Sequence, residues 1–271
     1  MNWYSLYLPS EDSAGIAEAL RATLTAAGYT LYNPFGAMPG LSYRQSVRLF
    51  VAPPRDGWTR VAASPEHLAP VAPALSQIAP CLEIGFNEEA TIRLYRAGAL
   101  IDAPLDALSA YVRPGKAISD VAAALQAPPV ALPAVQEVLA DVPLDILPDD
   151  ARALADKVDL KRASGLFHRL SEGLSKRTGQ VGSEDAARAL LRSHAPDWNS
   201  PGGRQIRALM ACLTCPDNWH TPDFVTLRDA YQLHARRRRA PNADLYPGDA
   251  EAMAAVPDAL DYTPIYGGRN S

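Results

Sequence analysis

Between Val47 and Ala103, short runs of alternating apolar and polar side chains are separated by turn residues, which commits this part of the chain to a sheet. Leu82, Ile84 and Phe86 alternate with Glu83 and Gly85; after the turn Asn87-Glu88-Glu89, Ile92 and Leu94 alternate with Thr91, Arg93 and Tyr95. That pair reads as a hairpin with one wet face. A second tight turn at Ala97-Gly98 leads into a short strand over Ala99–Ile101. Upstream, Val47, Leu49 and Val51 mark a strand, Pro53–Gly57 turns the chain, and Trp58–Ala62 returns. Between the hairpins, Ser64-Pro65-Glu66 has the form of a helix opening. Leu68, Val71, Leu75 and Ile78 follow at helical spacing, but Pro70 and Pro73 limit that helix to modest length.

The residues ahead of this stretch extend the same sheet. Trp3–Leu8 reads as a strand, with Tyr4, Leu6 and Leu8 on one face and Trp3 and Tyr7 on the other. Ser10–Ser13 offers caps for a helix whose stripe is Ile16, Leu20 and Leu24 and whose end is Gly28. Tyr29–Tyr32 is a short strand, and Asn33–Gly40 a long loop that reads either as a surface connection or as a functional loop. The expected fold class is therefore α+β. It begins with a mostly antiparallel sheet with helices on one face, a ferredoxin-like pattern with additions, and continues into an all-helical C-terminal domain. The expected divisions are an α+β domain over 1–112, a helical connection over 113–145, a helical domain over 146–239, and an acidic, partly irregular tail over 240–271.

One pattern in the helical part occurs twice. Asp197-Trp198-Asn199-Ser200-Pro201 precedes Ile206-Arg207, and Asn218-Trp219-His220-Thr221-Pro222 precedes Leu227-Arg228. Each copy predicts a helix start: a hydroxyl cap, proline at the first helical position, and an aromatic just outside that packs back. A paired tryptophan surface for a ligand is the alternative. In the tail, a short helix is expected near Asp249–Ala255.

The net charge of −4 is unevenly spread. Residues 146–239 carry 16 basic and 11 acidic side chains and are the only basic segment; residues 240–271 carry 1 and 5. The chain has no apolar run of about 18 residues, so no membrane-spanning helix is expected. It enters its first strand without a basic and apolar leader, and its three cysteines do not form a disulfide framework. A cytoplasmic location is expected.

Candidate sites are few. Cys212-Leu213-Thr214-Cys215 with His220 is the nearest approach to a zinc motif, but a second tight ligand pair is missing and Cys212 falls on an apolar helical face. Core packing is the favoured reading, and no cofactor is expected. Arg236–Arg239 ends a helix, where cations complement the dipole. Together with Arg162, Arg169 and Lys176 the same run offers an anion or nucleic-acid contact, with the acidic tail as a screen. No catalytic motif stands out. These features point to a non-enzymatic binding or regulatory protein that meets a protein partner through its helical domain. Nucleic-acid binding through the arginine-rich surface is one alternative, and an enzyme with an interdomain site is another.

Overall fold

The computed structural model describes residues 3–35, 43–64, 71–86, 89–102, 104–126, 196–242, 244–246 and 248–270. The fold is α+β: among the described residues, an eight-stranded sheet with helices packed against it. Its strands are β1 (Trp3–Leu8), β2 (Thr30–Tyr32), β3 (Gln45–Val51), β4 (Thr59–Ala63), β5 (Cys81–Phe86), β6 (Ala90–Arg96), β7 (Ala99–Leu100) and β8 (Thr263–Arg269). They lie in the order β2-β8-β3-β4-β1-β5-β6-β7, every neighbouring pair antiparallel.

The local chemistry of the turns follows the sequence. Asp56 and Gly57 at the β3–β4 turn, and Ala97 and Gly98 at the β6–β7 turn, have positive φ. That is the backbone twist a tight hairpin needs. The helix α1 (Ser13–Ala26) is capped by Asp12, whose Oδ1 accepts the Gly15 N–H at 2.8 Å. Its stripe Ile16, Leu20 and Leu24 is fully buried. With α2 (Val71–Leu75) it covers Leu6, Leu8, Val47, Leu49, Val51 and Val61 on one sheet face. The helix opening expected at Pro65 and Glu66 lies outside the described residues.

Helices on one face only was the expectation, and here the structure corrects it. The opposite face is covered too, because β1, β4 and β5 are apolar or buried on both sides. Over β1, β5 and β6 lie α3 (Pro104–Leu108), α4 (Ile118–Gln126) and α5 (Pro201–Cys212), which bring Leu108, Val121, Ile206, Leu209 and Met210 against Trp3, Leu82, Ile84, Phe86 and Leu94. Over β3, β4 and β8 lies α6 (Phe224–Arg239), with Phe224, Leu227 and Ala230 against Phe50, Ala62 and Tyr266, and α7 (Asp249–Ala255) packs against α6. The wet face expected of the β5–β6 hairpin belongs to β6 alone, since all six residues of β5 are buried, Glu83 included.

The C-terminal residues are part of this unit. Although 240–271 reads as partly irregular, β8 is a seven-residue strand between β2 and β3. Pro264, Gly267 and Gly268 hide it from a period-two reading. The glycines have a packing reason: a Cβ at Gly268 would sit 2.2 Å from the Tyr43 ring. Of the span expected to be a separate helical domain, 146–195 lies outside the described residues, while α5 and α6 pack on the sheet. The described residues before 127 and after 195 belong to one unit, and its two sides meet where Gln205 Nε2 on α5 donates to the Leu125 carbonyl on α4 at 3.1 Å.

The duplicated helix start holds in its first copy, where Ser200 caps α5 and Pro201 opens it. In the second copy the cap moves two residues on. Asp223, not Thr221, accepts the Val225 and Thr226 N–H groups at 2.9 and 3.0 Å, so Pro222 stays in the α5–α6 linker. A carboxylate at the N-cap accepts two amides at once and outcompetes the hydroxyl. Trp198 and Trp219 form a mutual edge contact at 5.3 Å, and Trp3 meets both. Trp219 is buried, so the pair is an aromatic bridge between linker and sheet.

Candidate functional site

Arg60 is the second residue of β4, on the face covered by α5 and α6. It is only 9% exposed. Its Nε donates to Ser5 Oγ on β1 at 3.0 Å, and its guanidinium carbon lies 5.5 Å from the Trp3 ring centroid. Its Nη2 is buried and has no hydrogen-bond partner among the described residues. No described carboxylate forms an ion pair with it. A buried cation in that condition is costly, because desolvation is met by only one neutral hydrogen bond and one ring face.

What lies above Arg60 is the α5–α6 linker, and the sheet holds it down. Trp3 Nε1 donates to the His220 carbonyl at 3.2 Å, the Tyr7 hydroxyl to the Trp219 carbonyl, and Trp58 Nε1 to Thr214 Oγ1 at 3.1 Å. From the α3–α4 connection, Arg113 donates to the Leu213 and Cys215 carbonyls at 3.0 and 2.7 Å and pairs with Asp217. The linker is thus a roof fixed from below. Beneath it is a small cavity of about 40 Å³ lined by Tyr7, Arg60, Trp58, Trp219 and Tyr262, among others. Arg55, Asn218, Thr221 and Tyr262 also line a larger open cleft of about 770 Å³ that continues outward between the start of α6 and residues 255–262.

The electrostatics run from positive floor to negative mouth. Among the described residues, Asp223, Asp258 and Asp261 line the outer cleft, against Arg55 alone; Arg55 pairs with Asp258 at 2.6 Å. Burial pushes the Tyr7 hydroxyl well above the ordinary phenol range, and Arg60 only partly offsets it. The Tyr262 hydroxyl is raised by burial as well. Both phenols are therefore neutral across the physiological range and act as hydrogen-bonding groups. His220 is held below the usual imidazole range, first by burial and then by Arg60 and Arg207. Its Nδ1 is buried without a partner among the described residues.

The His220 shift gives a pH prediction. A depressed folded-state pKa means that the unfolded chain binds the proton more readily, so stability is complete above the unfolded value of about 6.5 and is lost as pH falls through the lower folded value. Urea unfolding of the wild-type chain between pH 7 and pH 5 should show a steeper loss than His220→Gln. Identical slopes would remove His220 as the cause.

Cys212 and Cys215 are buried in the core with Leu209 and Met210. Burial raises the Cys215 thiol far above its ordinary value. Among the described residues no three His, Cys, Asp or Glu side chains are grouped as a metal ion needs. Arg236 donates to the Asp244 carbonyl at 2.7 Å and lies over the Tyr246 ring at 5.3 Å. Arg239 donates to the Phe35 carbonyl, while Arg237 and Arg238 are exposed. The tail thus meets the arginine run through a carbonyl and a ring. Arg162, Arg169 and Lys176 lie outside the described residues, as do residues 36–40 of the long loop. Phe35, at its start, is a core residue against Phe50, Tyr231 and Tyr266. Among the described residues no helix is long and apolar enough to cross a membrane.

Arg60 and the cleft are not singled out by sequence reasoning. An arginine in an alternating strand reads as a solvated face, and only the cover supplied by α5, α6 and the 255–262 segment turns that face inward. A second buried charge, Glu83 on β5, accepts from the Tyr4 hydroxyl and lies 3.6 Å from Arg93 on β6. Its Oε1 is therefore partnered, while its Oε2 is buried without a partner among the described residues, and the side chain faces away from the cleft, among Tyr4, Cys81 and Tyr95.

Comparison with models of known families, with curated proteins and with solved structures finds no match to this chain.

Proposed function

We propose that this chain is a non-enzymatic binding protein whose ligand presents an anionic group to Arg60 through the cleft under the α5–α6 linker. One observation carries the reading: a buried guanidinium, bonded once to a neutral hydroxyl, has an unpartnered Nη2 and lines a cavity that adjoins a larger opening. Buried charges are ordinarily paired, and an anion from outside is the partner that this geometry lacks. A binding role is favoured over a catalytic one by how the nearby polar groups are spent. Tyr7 donates to a carbonyl, Asp223 caps α6 and Asp258 pairs with Arg55. Nucleic-acid binding through the end of α6 is less well supported, because Arg236 and Arg239 are engaged with carbonyls of the chain itself.

The fold reading that accompanies this proposal is a ferredoxin-like core with additions. Its support is the chain order β1-α1-β3-β4-α2-β5 with the strand order β3-β4-β1-β5 inside the larger sheet, and both helices in one apolar cluster. On that reading β2, β6, β7 and β8 are the additions. A protein partner remains part of the proposal, since a chain terminus or acidic side chain is one source of the anionic group.

Thermal unfolding at constant ionic strength tests it. Acetate or inorganic phosphate should raise the Tm of the wild-type chain by mass action on the folded state and leave Arg60→Met unmoved. Equal responses of the two proteins would overturn the proposal.

A further inference from the structure

We infer that the ligand is a small zwitterion, its carboxylate inward on Arg60 and its cationic group outward at the acidic mouth, with an aliphatic stem between; this rests on the anion-binding reading above. Three features of the cleft lead there. The inner cavity holds about 40 Å³. A single water needs roughly 10–15 Å³ of such space, so the cavity suits a planar carboxylate head and leaves no space for a bulky polyanion. Among the described residues the mouth has three carboxylates to one guanidinium, and Asp261 is its exposed, unspent member, because Asp223 caps α6 and Asp258 holds Arg55. Such a mouth repels a second negative charge and attracts a positive one. Between floor and mouth the walls include Pro222, Pro257 and Leu260, the last 36% exposed, which is surface for a methylene chain.

The chemistry has two sources, a free basic amino acid or the C-terminus of a peptide with a basic residue, and both present carboxylate and cation on one stem. Calorimetric titration of the full chain separates them and separates this inference from the one beneath it. L-lysine, the tripeptide Gly-Gly-Lys as free acid, the same tripeptide as C-terminal amide, acetate and inorganic phosphate serve as titrants. The favoured zwitterion is expected to bind at least about 10-fold tighter than acetate. The amide should lose roughly 30-fold or more against the free acid, the scale of removing one partner of a buried charge pair. Asp261→Asn should weaken the zwitterion about 2- to 5-fold, as for an exposed charge contact, without weakening acetate. Preference for lysine over tripeptide assigns the free amino acid, and the reverse assigns the chain terminus. Acetate binding as tightly as either zwitterion, or phosphate binding tightest, would overturn the zwitterion and leave anion binding intact. No heat with any of the titrants would overturn both.

Discussion

A chain ended at Asp261 is expected not to fold. The truncation removes β8, which pairs with β2 on one side and along seven residues with β3 on the other. Lost with it are the buried side chains of Ile265 and Tyr266, each contributing about 1.5–3 kcal/mol. Each backbone hydrogen bond of the two ladders adds about 1 kcal/mol net. The open edge of β3 would also leave Phe50 and its aromatic neighbours uncovered. The sum is comparable with the whole stability of a domain, about 5–15 kcal/mol. Circular dichroism and thermal unfolding should show no cooperative transition, whereas a transition within a few degrees of the wild type would contradict the place given to β8. The consequence is practical. Any contribution of the acidic C-terminal residues to the arginine run has to be tested by point changes such as Arg237→Gln and Arg238→Gln, because removing the tail removes an interior strand.

Arg60→Met should have opposite effects on binding and on stability. Affinity for acetate or for any carboxylate ligand should fall by about 2–5 kcal/mol, the scale for losing one member of a buried, hydrogen-bonded charge pair. The unliganded protein should be no less stable, and more stable by about 1–3 kcal/mol if methionine fills the space, because an apolar side chain of similar length ends the desolvation cost. An arginine kept only for structure predicts the reverse, a loss of stability with no change in binding. Urea denaturation and calorimetry on the same pair of proteins distinguish the two, and Arg60→Lys should recover part of the binding, since it restores the charge without the planar fork.

The sheet was legible because its turns and alternation are local properties. Leu6 with Leu8 and Trp3 with Tyr7 divide between two faces as their spacing requires, and the α1 stripe buries as written. The helix at Asp249–Ala255 forms where its sequence places it. What failed was long-range. Nothing local in Thr263–Arg269 says that it inserts between strands more than 200 residues earlier, and its proline and glycines argue against a strand until their neighbours, Tyr29 and Tyr43, are known. The second helical layer was missed for the same reason: β5 alternates like a half-wet strand, yet Glu83 is buried beside Tyr4. Arg60 follows from both errors, since a strand thought open on one side offers no reason to notice a cation there. The Cys212 reading, in contrast, needed only the apolar periodicity of its own helix.

The most direct test of the central claim is NMR of the Arg60 side chain, with its Nε–H resonance assigned by its disappearance in Arg60→Met. Buried and bonded to Ser5, this proton should exchange slowly with solvent, and the resonance should move in a saturable way as acetate is added at constant ionic strength. A rapidly exchanging Nε–H, or one that stays in place through the acetate titration while resonances elsewhere shift, would contradict the account.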